Sequence, residues 1–148
     1  MVYMAPTYGK PAILQLSVRT RCLLVNLAHM GSIPECLKSF LSDLVTCFVG
    51  VKMSNWQFGL SKSYKIECKG CVEVSELVAK YFKKPNLCRE GLAAVAAEIR
   101  LPLEESPKKV EFNLNNKVFS NEQTKLGIQD VYACQLIGSK ILAMLLYC

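Results

Sequence analysis

Thr46-Cys47-Phe48-Val49-Gly50-Val51 is a short, unbroken apolar run, and it constrains the fold more than any other stretch of the chain. It is too short for a buried helix, and it lacks the polar alternate positions of a half-exposed strand. A strand of this composition has to be covered on both faces, so its sheet needs helices on each side. An α/β architecture follows.

The flanking patterns agree with that class. Ala12–Val18 and Cys22–Leu27 read as two strands separated only by Arg19-Thr20-Arg21, a gap suited to an antiparallel hairpin. Ser32-Ile33-Pro34-Glu35 has the form of a capping box, and Ile33, Cys36, Leu37, Phe40, Leu41 and Leu44 then share one helical face, which makes this the best-specified helix. Tyr64-Lys65-Ile66 suggests a short strand. Val74, Leu77, Val78, Tyr81 and Phe82 repeat the helical spacing, as do Leu92, Val95, Ala96 and Ile99 before Pro102. From Leu103 to Val118 the composition turns polar, as in a long loop. Ser120-Asn121-Glu122-Gln123 is a second capping box, opening a helix that can run to about Leu146. The residues from Ile141 to Cys148 are apolar all round, so a homo-oligomer contact through this C-terminal helix is expected.

The chain has 148 residues, 51% of them hydrophobic and 20% charged, which suits one folded domain and excludes a disordered or low-complexity chain. No apolar run reaches the roughly 18 residues of a membrane helix, and the start has neither the basic nor the apolar region of a signal peptide. The expectation is a soluble, intracellular protein of nucleus or cytoplasm with no membrane partner. Cys22, Cys36, Cys47 and Cys134 sit singly in apolar segments, and most of the 8 cysteines are expected as small buried hydrophobes. Cys68-Lys69-Gly70-Cys71 is a CxxC where a redox dithiol or half a zinc site could sit. No second pair exists and His29 is the one histidine, so ordinary turn cysteines are expected instead. There is no P-loop and no GxGxxG. The net charge of +6 is compatible with a polyanionic partner without requiring one.

A wider pattern runs through these pieces. Leu14-Gln15-Leu16, Arg21-Cys22-Leu23-Leu24, Ile33-Pro34, Phe40-Leu41 and Phe48-Val49-Gly50-Val51, then Gly91-Leu92-Ala93-Ala94-Val95-Ala96, and finally Ser120-Asn121-Glu122-Gln123 with Asp130-Val131-Tyr132, occur in this order over nearly the whole chain. Together they resemble the 3′-5′ exonuclease domain of the plant Werner-syndrome-like exonucleases. The resemblance implies an α/β, RNase H-like (DnaQ-like exonuclease) mixed sheet flanked by helices, as a single exonuclease-like domain over residues 1–148. It also implies four acidic residues, written D-x-E, D and Y-x-x-x-D, that hold two divalent cations, Mg²⁺ or Mn²⁺. Two hard cations need oxygen ligands to neutralise them and clamp the scissile phosphate between them.

Aligned through Pro6 and Gly9, the D-x-E positions fall on Met1 and Tyr3, so the first strand is truncated and carries no acid. The second motif puts Trp56 where its aspartate belongs. In the third, the tyrosine falls on Leu126 and the final acid on Asp130, four residues apart and hence on one helix face. Asp130 is the sole retained family acid. One carboxylate cannot assemble a two-metal cage, so no metal cofactor is expected unless the domain is active after all.

Three functions compete. A degenerate domain would bind single-stranded nucleic acid without cutting it, through basic clusters at Lys80, Lys83 and Lys84 and at Lys108 and Lys109; the plainer view of both is a cation-stabilised helix end and a solvated loop. An active metal-dependent exonuclease would have to recruit Asp43, Glu67 or Glu73. A protein-interaction module would have lost the nucleic-acid surface altogether.

Overall fold

The structure, a computed structural model, describes residues 2–4, 13–103 and 118–147; the side chains of Tyr3, Met4, Leu126 and Asp130 lie outside that description. The elements follow in the order β1 (Val2–Met4), β2 (Ile13–Val18), β3 (Arg21–Asn26), α1 (Glu35–Ser42), β4 (Phe48–Gly50), α2 (Met53–Tyr64), β5 (Cys71–Glu73), α3 (Val74–Phe82), α4 (Leu92–Glu98) and α5 (Asn121–Leu146). Single 3-10 turns at Leu27–His29 and Pro85–Arg89 complete the described chain.

The five strands form one mixed sheet in the order β3-β2-β1-β4-β5. β2 and β3 make the expected hairpin, antiparallel from Ile13 opposite Asn26 to Val18 opposite Arg21. β1 is antiparallel to β2 and parallel to β4, and β5 is parallel to β4. Of the central strand β1, the described residues are Val2–Met4.

Successive residues of a strand point to opposite faces, and β4 shows the consequence. Phe48 enters a core with Leu14, Leu16, Leu41, Met53, Trp56 and Leu60 on one side of the sheet. Its neighbour Val49 enters a second core with Val74, Val78, Val95, Ile137 and Ile141 on the other. Both residues are fully buried. The sheet therefore has α1 and α2 on one face and α3, α4 and α5 on the other, the three layers that the apolar run demands.

α5 starts as its capping box predicts: the Gln123 amide donates to Ser120 Oγ at 3.1 Å, and the Ser120 amide to Gln123 Oε1 at 2.9 Å. Val131, Cys134, Ile137 and Ile141 recur at helical spacing and are all buried. Of the apolar C-terminal stretch, Ile141 is buried and Met144 packs on the same core, while Leu146 and Tyr147 are 80% and 90% exposed. The surplus apolar surface is thus confined to the last turn. Among the described residues no helix is long and apolar enough to cross a membrane.

Four expectations need correction. The segment around Tyr64-Lys65-Ile66 is no strand: Tyr64 ends α2, and Lys65 closes it in the left-handed region at φ 56°. The first capping box does not form, because Pro34 occupies the N-cap and makes no side-chain cap bond; the helix opens at Glu35 with the Pro34 carbonyl accepting from Leu37 and Lys38. Its apolar face is also only partly used. Leu41 is buried and Ile33 and Leu37 pack beside it, but Cys36, Phe40 and Leu44 stay exposed. Finally, of the described cysteines only Cys68 and Cys134 are buried, whereas Cys22, Cys36 and Cys88 are exposed and Cys47 and Cys71 are intermediate. Cys22 faces solvent because β3 is an edge strand whose first three residues are all exposed.

Candidate functional site

The positions that the motif alignment singles out converge on β1 and α5 only in part. Tyr3 stands mid-sheet, in register with Ser17 of β2 and Val49 of β4. Met1 lies outside the described residues. Leu126 and Asp130 both belong to the first half of α5, one turn apart. Gly127 between them lets that half lie directly on the sheet. A Cβ there would come within 3.0 Å of Gln15 Nε2 and 3.2 Å of a Leu24 methyl. α5 therefore lies across β2 and β3 at the level of Asp130's own turn.

Trp56 has a different environment. It sits one turn into α2, 2% exposed, inside the apolar core formed by α1, α2 and the sheet face carrying Phe48. Its ring fills space between strands and helices.

The acids that an active enzyme would have to recruit are each engaged locally. Asp43 accepts from Thr46 Oγ1 at 2.7 Å and the Val45 amide at 3.0 Å, and these bonds, the hydroxyl foremost, hold its carboxyl below the usual carboxylate range. Glu67 is exposed and pairs with Lys69 at 3.4 Å. Glu73, at the end of β5, binds the Met53 amide at 2.6 Å, the Lys52 amide at 2.9 Å and Ser75 Oγ at 2.6 Å. One carboxylate thus caps α2 from 20 residues away and opens α3 as well. Among the described residues no three His, Cys, Asp or Glu side chains stand close enough to hold a metal ion together.

The basic clusters divide in the same way. Lys80 lies in the last turn of α3 and Lys83 is its left-handed C-cap, a placement that favours the helix dipole. Lys84 is committed to Glu98 by two contacts of 2.8 and 3.0 Å. Lys108 and Lys109 lie outside the described residues.

A basic feature that the motifs did not flag lies at the β2–β3 turn. Arg19 and Arg21 stand on either side of Thr20 at the rim of a cleft of about 1170 Å³, completed by Phe40 of α1 and by Gln135 and Ser139 of α5. The turn is braced. Arg19 has φ 54°, a left-handed conformation costly for a side-chain-bearing residue, and its carbonyl accepts from Gln135 Nε2 at 2.9 Å. The other end of the same amide, Oε1, accepts from Ser17 Oγ. Both arginines were visible in the hairpin gap; only the folding of α5 against that turn makes the gap one wall of a cleft.

In the CxxC, Cys68 is buried in the irregular segment that precedes β5, and Cys71 opens that strand, opposite Phe48.

No protein family matches the sequence and no curated protein does. Among solved structures, a nuclease in its apo form is similar over 99% of this chain and 73% of its own, with a TM-score of 0.74 at 14% identity. RNase D of Escherichia coli, an exoribonuclease involved in structured RNA processing, is similar over 96% of this chain and 38% of its own, with a TM-score of 0.69 at 12% identity. The chain thus has the α/β fold of exonuclease domains, as the motif order implied, and at these identities the likeness is one of fold.

Proposed function

We propose that this chain is a degenerate 3′-5′ exonuclease domain, of the plant Werner-syndrome-like kind, that binds single-stranded nucleic acid without hydrolysing it. The observation that carries this reading is Trp56. Where the motif requires a metal-binding carboxylate, an indole is sealed at 2% exposure in an apolar core. The donor set does not fit two divalent cations: Met1, Tyr3, Trp56 and Leu126 offer no carboxylate, Asp130 alone does, and Asp43, Glu67 and Glu73 are held in unconnected local bonds. No hydrolytic step is therefore derived through a metal.

Binding is supported by the net charge of +6 and by the Arg19–Arg21 cleft, with Lys80 and Lys83 as further cations. Arginine presents a planar fork of donors suited to phosphate oxygens. The reading is tested by titrating a fluorescent single-stranded oligonucleotide at several salt concentrations. Affinity should fall steeply with salt, and the double variant Arg19→Asn/Arg21→Thr should lower the logarithmic salt slope by about 1.4, at about 0.7 per phosphate contact on a single strand. Asparagine tolerates the left-handed backbone at position 19 and threonine suits a strand at 21, so the fold should survive both changes. Absence of salt-dependent binding would refute the proposal. If that chain also ran as an oligomer, the exposed Leu145, Leu146 and Tyr147 would instead favour an assembly module.

A further inference from the structure

The geometry points to Cys68 and Cys71 as a reversible dithiol–disulfide site that exchanges with low-molecular-weight disulfides. The two sulfurs lie 3.2 Å apart. The loop that holds them is fixed at every residue. The Cys68 carbonyl accepts from Gln57 Nε2 at 2.7 Å, the Lys69 amide donates to the Leu41 carbonyl at 3.3 Å, the Gly70 carbonyl accepts from the Phe48 amide at 2.7 Å, and the Cys71 amide donates to the Lys69 carbonyl at 3.0 Å. A pair held in this way needs little chain movement to close, and a disulfide with two intervening residues places little demand on the rest of the fold.

The two cysteines are not equivalent. Cys71 is partly buried against the core, whereas Cys68 is 5% exposed, so Cys71 is the more accessible of the two. The contact between the two sulfurs lowers the pKa of the Cys71 thiol, while the same contact and burial push the Cys68 thiol up. Cys71 is therefore the attacking thiol and Cys68 the resolving one. The Cys71 thiolate attacks one sulfur of a small disulfide such as oxidised glutathione, forming a mixed disulfide and releasing one glutathione thiolate. Cys68 then attacks the Cys71 sulfur, its proton passing to the second departing glutathione thiolate. Two protein thiols are oxidised and one glutathione disulfide is reduced to two thiols.

The test uses the full chain, oxidised glutathione as the oxidant and N-ethylmaleimide as the quench. Trypsin cuts after Lys65, Lys69 and Lys80, so the disulfide should appear as the peptides Ile66–Lys69 and Gly70–Lys80 joined, lighter by two hydrogens than their sum, and dithiothreitol should separate them. Cys68→Ala should arrest the reaction with glutathione on Cys71, and Cys71→Ser should remove it. In the reduced wild-type chain, Cys71 should alkylate faster than the more exposed Cys22, Cys36 and Cys88, because the sulfur beside it favours its thiolate. The inference is overturned if the two peptides are never joined in the oxidised wild-type protein, or if Cys71 alkylates no faster than the three exposed cysteines. Both readouts use unsubstituted protein, so neither depends on a variant folding.

Discussion

Trp56→Ala should lower the stability of this domain by about 4 kcal/mol, within the range of about 3–5 for emptying a buried tryptophan site, and Tm by about 10 °C for a chain of this size. The indole is 2% exposed and one of the largest fully buried side chains, in a core built by strands β2 and β4 and helices α1 and α2. Removing it leaves a void that four separate elements would have to collapse into. Domains of this size hold only about 5–15 kcal/mol in total, so the variant should be marginal at physiological temperature, and thermal melting by circular dichroism measures the loss. Trp56→Asp separates a core role from a lost metal site. An aspartate there would be an unpaired buried charge, so the variant should unfold and gain no stability from Mn²⁺. A folded Trp56→Asp chain that Mn²⁺ stabilises would mean that the position opens onto a cation site.

The second large effect is expected at Gly70. A Cβ at this position would stand 2.1 Å from the Thr46 carbonyl oxygen and 3.2 Å from its carbon. Neither partner can swing away: Thr46 is anchored through its hydroxyl to Asp43, and the Gly70 carbonyl holds the Phe48 amide at 2.7 Å where β4 and β5 begin to pair. Gly70→Ala must push the loop off β4 and break that bond, at a cost of about 3 kcal/mol from overpacking and a lost buried hydrogen bond together. Urea unfolding should show a lower midpoint with an unchanged slope if the native state otherwise persists.

Much of the architecture was legible because it is written locally. The β2–β3 hairpin shows as two apolar runs around a three-residue gap, β4 as an apolar run covered on both sides, and α5 as a capping box whose two hydrogen bonds both form. α3 and α4 follow from helical spacing. α2 was not legible, for a physical reason. Ser54, Asn55, Gly59, Ser61 and Ser63 are weak helix formers, and the group that caps its first turn is Glu73, far along the chain. Its end is equally silent, because Lys65 takes the left-handed position that glycine or asparagine normally signals. With both ends unmarked, Tyr64-Lys65-Ile66 passed for a strand. β5, only three residues long, is below what periodicity can register.

The site divides along the same line. That Trp56 falls at an expected carboxylate position comes from lining up motifs; that it is buried could not be read, since its burial depends on packing between elements distant in sequence. The Arg19–Arg21 cleft needs the second half of α5 to fold back over the hairpin turn, more than 110 residues away in the chain. The CxxC was legible as a motif, but the asymmetry of its two sulfurs comes from their unequal burial and their contact with each other.

The most direct measurement is the fate of a 3′-end-labelled and a 5′-end-labelled single strand incubated with the purified chain in Mg²⁺ or Mn²⁺, with EDTA and Asp130→Asn run in parallel. Binding without hydrolysis predicts that both strands stay full length in every lane while remaining protein-bound at low salt. Metal-dependent shortening from the 3′ end, abolished by EDTA and by Asp130→Asn, would contradict it and make this chain an active exonuclease.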